Sequence, residues 1–286
     1  MSAETEVGAH FRLPVGRAVH LKSTDTRNTP VGPQHKSDGK DALTELGDPL
    51  DDLQQALWAQ GKLGSDARVL VVLQGMDTSG KGGLVRHVGG LLEPQGMRLA
   101  TFGAPTAEEL SHDFLWRVRA ALPGPGVIGF FDRSHYEDVV IARVEALAEP
   151  PELERRIEAI NTFEAELVDE GFHLVKVFLH ISPEEQLERL TSRLGDPDKQ
   201  WKYTPDDREA RSRWGAYQRT YDDVLTRCAS DEAPWHVVPG DRKWYARWVV
   251  AAMVHETLQA IDPQFPPPDY DVEAERTALR ESDPVG

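Results

Sequence analysis

A short glycine-rich stretch carries the residues best suited to binding phosphate. Gly75, Gly80 and Lys81 have the spacing G-x-x-x-x-G-K, and Gly82 follows where this motif ordinarily has Ser or Thr. The amides of such a loop converge on an anion at the positive end of a helix dipole, and the lysine reaches the anion's oxygens. We interpret these four residues as a phosphate-binding loop. The alternative is a glycine-rich turn with a solvated lysine.

The residue at position 82 leaves open how a metal ion would be held. The hydroxyl that Gly82 lacks normally ligates Mg2+, so another oxygen must do so. Asp77, inside the loop, is the nearest candidate. Asp132 is a second one, because it ends the apolar run VIGFF and would lie at the C-terminal end of a buried strand, where ligands bind. Asp132 can instead cap the following helix.

Several polar residues follow Asp132 directly. The Arg133 guanidinium can bind two phosphate oxygens, although it can equally form a structural salt bridge. His135 has a pKa range suited to proton transfer, but we expect it to act in positioning. Glu137 and Asp138 can contact a metal or a second substrate, or simply begin a solvated helix.

Basic residues are concentrated in one other stretch, residues 189 to 202. Arg189 and Arg193 are four residues apart on a predicted helix, and Lys199 and Lys202 follow in a polar loop. A lid with these cations would exclude water from bound phosphates and stabilise charge as it develops. A solvated surface helix is the alternative.

Composition limits the possible partners and location. The net charge of -16 argues against nucleic-acid and acidic-membrane binding, so an anionic substrate must be bound by a local basic cluster. A single cysteine, Cys228, excludes an internal disulfide and agrees with a reducing compartment. The N-terminus lacks the features of a signal peptide, and no apolar run is long enough to span a membrane. We therefore expect a cytoplasmic protein.

Apolar strands alternate with helical segments along the chain. This alternation predicts an α/β fold with a parallel sheet covered by helices on both faces. The predicted strands are 69–73, 98–102, 127–131, 174–181 and 235–238. The predicted helices are 48–60, a segment starting at 84, 105–121, 135–146, 152–170, 183–194, 208–227 and 244–261.

The chain divides into three predicted regions. Residues 1–42 are polar and contain three prolines, which indicates an extended arm. Residues 43–262 form one domain, with a helical lid at about 189–213. Residues 263–286 form a proline-rich tail that we expect to be irregular.

Taken together, these motifs resemble the polyphosphate kinase 2 family. The family pattern G-x-D-x-x-G-K-G matches residues 75–82, and D-R-S-x-Y matches residues 132–136. The lid pattern R-x-x-x-R-x-x-D-P-x-K-x-W-K matches residues 189–202 at every fixed position. Three matches in this order are specific, and the similarity spans roughly residues 45–260.

The resemblance implies a P-loop kinase fold like that of thymidylate kinase. It also implies phosphoryl transfer between inorganic polyphosphate and nucleoside mono- or diphosphates, with Mg2+, which Mn2+ can replace. By this resemblance the catalytic residues are Asp77, Lys81, Asp132, Arg133 and Arg193, and Asp77 and Asp132 hold the metal. The implied polyphosphate-binding residues are Gly75, Gly80, Lys81, Gly82, Arg189, Lys199 and Lys202, and the implied nucleotide-binding residues are Arg117, Arg133 and Glu137.

Two further features bear on the substrate. The sequence SHYEDV, residues 134–139, and the segment 105–117 resemble the subgroup that accepts both AMP and ADP. Family members commonly form dimers or tetramers, so a homo-oligomer is expected. Two alternatives are an ATP-dependent nucleotide or nucleoside kinase and a non-catalytic nucleotide-binding regulatory module. Such a module would be expected to lack the metal-binding acids or the lid arginines, and both are present.

Overall fold

The computed structural model describes residues 6–282 and contains one five-stranded sheet. The strands are β1 Arg68–Gln74, β2 Met97–Thr101, β3 Ile128–Asp132, β4 Phe172–His180 and β5 Trp235–Pro239. They are all parallel and lie in the order β2-β3-β1-β4-β5. The predicted parallel sheet is therefore confirmed.

Helices cover both faces of this sheet. They are α1 Lys36–Glu45, α2 Gly47–Lys62, α3 Lys81–Val88, α4 Trp116–Ala121, α5 Glu137–Val144, α6 Pro150–Asp169, α7 Pro183–Leu194, α8 Pro205–Ser212, α9 Trp214–Arg227, α10 Lys243–Ile261 and α11 Val272–Glu281. Leu70 and Val72 of β1 pack with α4, α5, α6 and α9, whereas Val69 and Val71 pack with α2, α3 and α10. Because both faces of the strand are buried, β1 is an uninterrupted apolar run rather than an alternating one.

Strand register brings the two predicted phosphate motifs together. Leu73, one residue before the end of β1, pairs with Asp132, the last residue of β3. The glycine-rich loop leaves β1 at the same edge of the sheet. Ligands in open α/β sheets bind at this carboxyl edge. Within residues 6–282, no helix combines the length and the apolarity needed to cross a bilayer.

The N-terminal arm, predicted to be extended, lies along the edge of the sheet. Its backbone pairs with β5, since Leu13 N donates to Trp235 O at 2.8 Å and Val237 N donates to Phe11 O at 2.9 Å. The arm thus covers a strand edge that would otherwise be exposed. Helix α1 begins at Lys36, inside the range predicted as arm. Residues 1–5 of the predicted arm lie outside the described residues.

Two predicted helices are shorter than their apolar spacing indicated. In the segment 105–121 only α4 and one 3-10 turn form. Thr106 and Glu109 cap that single turn reciprocally. Asp113 Oδ1 then accepts a hydrogen bond from Leu115 N at 3.0 Å, and this local turn separates the 3-10 turn from α4. The segment 208–227 is divided into α8 and α9 at Arg213, which pairs with Glu145 at the end of α5.

The tail is not wholly irregular. Asp271 accepts hydrogen bonds from Glu273 N and Ala274 N, both at 3.0 Å, and so caps the start of α11. Four prolines of the tail, the last of them Pro268, precede this cap, and Pro284 comes after Glu281 in the sequence, so none falls within the helix. Every residue of α11 is exposed, and residues 283–286 of the tail lie outside the described residues.

Candidate active site

The phosphate loop joins β1 to α3 through two glycines with left-handed backbone. Gly75 has φ +146°, and a Cβ there would lie 2.6 Å from Leu179 O, which excludes any side chain. Gly80 has φ +110° and precedes the first residue of α3, Lys81. The Lys81 ammonium is buried and donates to Gly75 O at 2.7 Å. The loop therefore presents a lysine and a helix N-terminus to the same space.

Three acids act on the charge of this lysine. Burial lowers the pKa of Lys81, and the nearby Arg133 lowers it further. Asp77, Asp132 and Glu137 oppose this shift through their negative charges. The structure thus brings both predicted metal-binding acids and Glu137 to the loop lysine.

Asp132 accounts for the glycine at position 82. A Cβ on Gly82 would lie 3.3 Å from Asp132 Oδ2, which is closer than ordinary van der Waals contact. The carboxylate therefore lies next to the place where the usual Ser or Thr would stand. An aspartate oxygen from β3 therefore lies beside the position of the missing hydroxyl.

Arg133 is bound to the phosphate loop by an ion pair. Its Nη2 donates to Asp77 Oδ1 at 2.7 Å, and both side chains are about one third exposed. Burial opposes the charge of Arg133, but Glu137 and Asp77 outweigh it, so the pKa of the guanidinium is raised. The backbone of Arg133 is left-handed, with φ 65°, which is costly for a residue with a side chain and is typical of functional sites.

Glu137 is buried between the cations of the site. The Gln74 amide, oriented with its nitrogen towards α5, donates to Glu137 Oε1 at 2.8 Å. Burial raises the pKa of Glu137, although Arg133 and Lys81 lower it. The carboxylate therefore lies at the contact between the loop and the start of α5, and is not part of a solvated helix start.

The two aromatic residues of the second motif point into the core. His135 Nε2 lies 3.2 Å from Glu164 Oε1, and the Tyr136 hydroxyl donates to the same oxygen at 2.6 Å. The buried Lys176 ammonium donates to Glu164 Oε2 at 2.5 Å. This network anchors the segment after β3 to α6 and β4, which accords with the expected positioning role of His135.

Arg189 does not take the place expected of a lid cation. It is 6% exposed, and its five N–H groups all donate to protein oxygens. The acceptors are Glu185 Oε1, Thr78 O, Ser79 O, Gly240 O and Asp241 O, at 2.6–3.2 Å. The prediction that Arg189 binds phosphate is corrected on this point, because no donor is left for a ligand.

The remaining lid cations line a pocket beside the loop. The pocket has a volume of about 350 Å3 and contains Ser79, Gly80 and Gly83 of the loop and α3. Besides Arg189, whose donors are all bound to protein, its predicted cations are Arg193, Lys199 and Lys202. Lys199 pairs with Asp196, and Arg193 Nη1 donates to Lys202 O at 3.3 Å, so the loop after α7 folds back on the helix.

Two further cations of this pocket were missed in the sequence. Lys243 and Arg247 lie in the first two turns of α10, and Arg247 Nη2 is 3.6 Å from the position of a Cβ on Gly83. Burial lowers the pKa of both groups, and Arg189 lowers it further. Their position in the sequence could have indicated a binding role. Cations near a helix N-terminus are unfavourable with the helix dipole, so their presence there suggests that they bind an anion.

Arg117 is buried beside the site rather than in the pocket. Its Nη2 donates to Asp138 Oδ2 at 2.9 Å, and its Nη1 donates to Gly103 O at 3.0 Å. It therefore joins the segment after β2 to the start of α5. The contacts are those of a structural ion pair, and the predicted role of Arg117 in nucleotide binding stays a prediction.

The acids at the loop fit a magnesium ion that is bound together with substrate. Within residues 6–282 no cluster of three or more His, Cys, Asp and Glu side chains could hold a metal by itself. Mg2+ typically uses one or two carboxylates and takes its other ligands from water and substrate phosphates. Asp77 and Asp132, both close enough to Lys81 to act on its charge, meet that requirement.

Comparisons with known proteins agree on one family. The model of the family "Polyphosphate kinase 2 (PPK2)" matches residues 34–266. The chain is 41% identical to an AMP/ADP-polyphosphate phosphotransferase of Meiothermus ruber over 91% of this chain and 96% of that protein. It is 36% identical to an ADP-polyphosphate phosphotransferase of Rhodopseudomonas palustris, over 90% and 91% of the two chains. The crystal structure of polyphosphate kinase 2 from Arthrobacter aurescens TC1 superposes with a TM-score of 0.93 at 45% identity, covering 97% of this chain and 98% of that one. The predicted P-loop kinase fold is confirmed.

Proposed function

The chain belongs to the polyphosphate kinase 2 family, and from that premise we propose that it phosphorylates AMP and ADP with inorganic polyphosphate. It is a polyphosphate-dependent nucleotide kinase. The observation that carries the acceptor assignment is the relative accepting both AMP and ADP, at 41% identity over nearly the whole chain. The site supports a polyanionic donor, because six basic side chains line a pocket beside a phosphate loop in an acidic protein.

The chain's residues divide between donor and acceptor. The end of the polyphosphate lies in the loop on Lys81, with the rest of the chain in the pocket along Arg193, Lys199 and Lys202. Arg133 and Glu137 follow β3, near enough to Lys81 to act on its charge, and would contact the acceptor nucleotide. A nucleotide phosphate has a second pKa of about 6 and is already largely ionised, so no strong base is required.

The protein's task is then alignment and charge neutralisation. Asp77 and Asp132 would hold Mg2+, or Mn2+ in its place, which neutralises charge on the phosphates when bound. Arg133 and Arg193 stabilise the charge of the transferring group. We further propose that the protein is cytoplasmic and forms a homo-oligomer, a dimer or tetramer. The net charge of -16 favours the absence of nucleic-acid and membrane partners.

Assays that combine polyphosphate with different nucleotide acceptors test this function. Purified protein is incubated with polyphosphate and AMP, ADP, GMP or GDP in the absence of ATP, and products are separated by chromatography. We expect ATP to form from both AMP and ADP, and activity to require Mg2+ or Mn2+. Formation of ADP from AMP only when ATP is supplied would instead identify an ATP-dependent kinase.

A further inference from the structure

Helix α7 holds the phosphate loop by three consecutive carbonyl groups. Arg189 Nη1 donates to Thr78 O at 2.8 Å and to Ser79 O at 2.9 Å. Gln186 Nε2, one turn earlier on the same face, donates to Asp77 O at 3.3 Å. Gln186 is completely buried, so these bonds are shielded from competing water.

These bonds determine where the loop amides point. In a planar trans peptide the N–H is opposite the C=O, and none of the described peptide bonds is cis. Holding the carbonyls of residues 77–79 towards α7 turns the N–H groups of residues 78–80 away from it. Ser79 N donates within the loop to Met76 O at 3.0 Å, which leaves the amides of Thr78 and Gly80 for an anion.

The same guanidinium is connected to the N-terminal arm. Arg189 Nη2 donates to Gly240 O at 2.6 Å and to Asp241 O at 3.2 Å. The Asp241 carboxylate, with its side chain 2% exposed, accepts from Ser182 N at 2.8 Å, Ser182 Oγ at 2.9 Å and Thr26 Oγ1 at 2.8 Å. In return Asp241 N donates to Thr26 O at 3.1 Å. Asp241, in the loop after β5, thus binds both the arm and the start of α7.

We propose that Arg189 is a positioning residue that keeps the phosphate-loop amides facing the donor, and that Asp241 and Thr26 make the N-terminal arm part of this clamp. The proposal rests on the proposed function, since the loop's anion is taken to be polyphosphate. If the clamp loosens, a loop peptide can rotate and turn its carbonyl towards the phosphate, which repels it. Donor affinity then falls, whereas transfer from donor that is already bound changes less.

The Thr26→Val variant tests the clamp without touching the loop. It removes one donor to a buried carboxylate and keeps the shape of the side chain. We expect the KM for polyphosphate to rise about threefold to tenfold, with kcat and the nucleotide KM nearly unchanged. Hydrogen exchange of the amides of residues 75–80, measured without substrate, should become faster. The matched control is Thr29→Val, because Thr29 Oγ1 donates only within the arm, to Gln34 Oε1 at 2.9 Å.

A second comparison separates positioning from direct binding. Arg189→Lys keeps the positive charge but cannot supply five planar donors, so we expect faster exchange of the loop and weaker polyphosphate binding with an unchanged dependence on salt. Arg193→Ala, which removes a pocket cation, should instead reduce the salt dependence of binding. Polyphosphate binding and loop exchange both at wild-type values in Arg189→Lys would show that the charge of residue 189 suffices without its five directed donors, and would overturn the proposal.

The exchange measurement also separates this proposal from the proposed function. If Thr26→Val leaves both loop exchange and the polyphosphate KM at wild-type values, the clamp is wrong whatever the enzyme's substrate. If the exchange accelerates while the wild type does not use polyphosphate, the clamp stands and the substrate assignment fails.

Discussion

Two successive turns of α7 differ, although both belong to one sequence motif. Arg189 and Arg193 belong to one motif and are one helical turn apart. Arg189 is buried and bound to five protein oxygens, whereas Arg193 is partly exposed and opens onto the pocket. We call the first region, consisting of the phosphate loop, Asp132 and Arg189, the cradle, and the second, residues 193–202, the flap.

The contrast shows where closure can occur. The cradle is fixed by buried hydrogen bonds from α7, so the base of the lid cannot move without breaking them. The flap is held by exposed contacts such as the Lys199–Asp196 pair, which cost little to rearrange. A hinge at Gly195, where α7 ends, would allow Lys199 and Lys202 to close over phosphate while the loop keeps its shape.

The largest expected effect comes from the cradle. Asp132→Asn removes a charge beside Gly82 and Lys81 and should lower kcat about 10³-fold, because charge on the reacting phosphates is no longer neutralised. Lys81→Ala should have an effect of similar size. Steady-state kinetics with polyphosphate and AMP give the measurement, and circular dichroism checks that both variants are folded. Near-normal turnover in either folded variant would contradict the assigned roles.

The next largest effects are expected from Arg193→Ala in the flap and Arg189→Ala in the cradle, and they should differ in kind. Arg193→Ala should lower kcat about 10²-fold and leave the melting temperature nearly unchanged, since its one described hydrogen bond is to an exposed carbonyl. Arg189→Ala should lower the free energy of unfolding by roughly 3 kcal/mol, because several buried carbonyls lose their donor. Equal loss of stability in the two variants would remove the distinction between the regions.

Much of the cradle could be predicted from sequence because its determinants are local. A continuous apolar run, a glycine spacing and an acid after the next apolar run identify β1, the phosphate loop and Asp132. The sequence also shows that Gly82 stands where the motif ordinarily has Ser or Thr. The structure relates this glycine to Asp132 on the neighbouring strand β3. The parallel register of β1 and β3 then brings Asp132 next to the end of β1, where the loop begins.

The burial of Arg189 and the composition of the pocket depend on contacts distant in sequence. Spacing places Arg189 and Arg193 near one another, but the loop at Gly240 decides which of them is buried. Lys243 and Arg247 enter the pocket from a helix that begins more than forty residues after the lid motif. The arm reaches Asp241 from the other end of the chain. No local pattern indicates which of these segments meet.

A smaller effect is expected from the cations that the sequence did not reveal. Lys243→Ala and Arg247→Ala should each raise the KM for polyphosphate about threefold to tenfold at low ionic strength, and the difference should shrink as salt is added. Long polyphosphates should be affected more than tripolyphosphate if these residues bind the donor beyond its terminal phosphates. Lys62→Ala is a suitable control, because Lys62 lies over the Trp58 ring on α2 and not in the pocket. Equal effects on short and long donors would place the two residues at the reacting end, inside the cradle.

The smallest expected effect concerns pH and tests the acid within the cradle. Burial raises the pKa of Glu137 above its usual 4.5, so its carboxylate takes up a proton at a higher pH than an exposed glutamate. Protonation removes a negative charge beside Arg133 and Lys81, and activity should therefore decline on the acid side at a pH above 4.5. Glu137→Gln is neutral at every pH and should lose this limb, with a change of roughly twofold in activity on the acid side. The flap variant Arg193→Lys provides the matched comparison, because it leaves Glu137 in place and should keep the acid limb. An acid limb retained in Glu137→Gln would assign the titration to another group, with the ionising substrate phosphate as the first candidate.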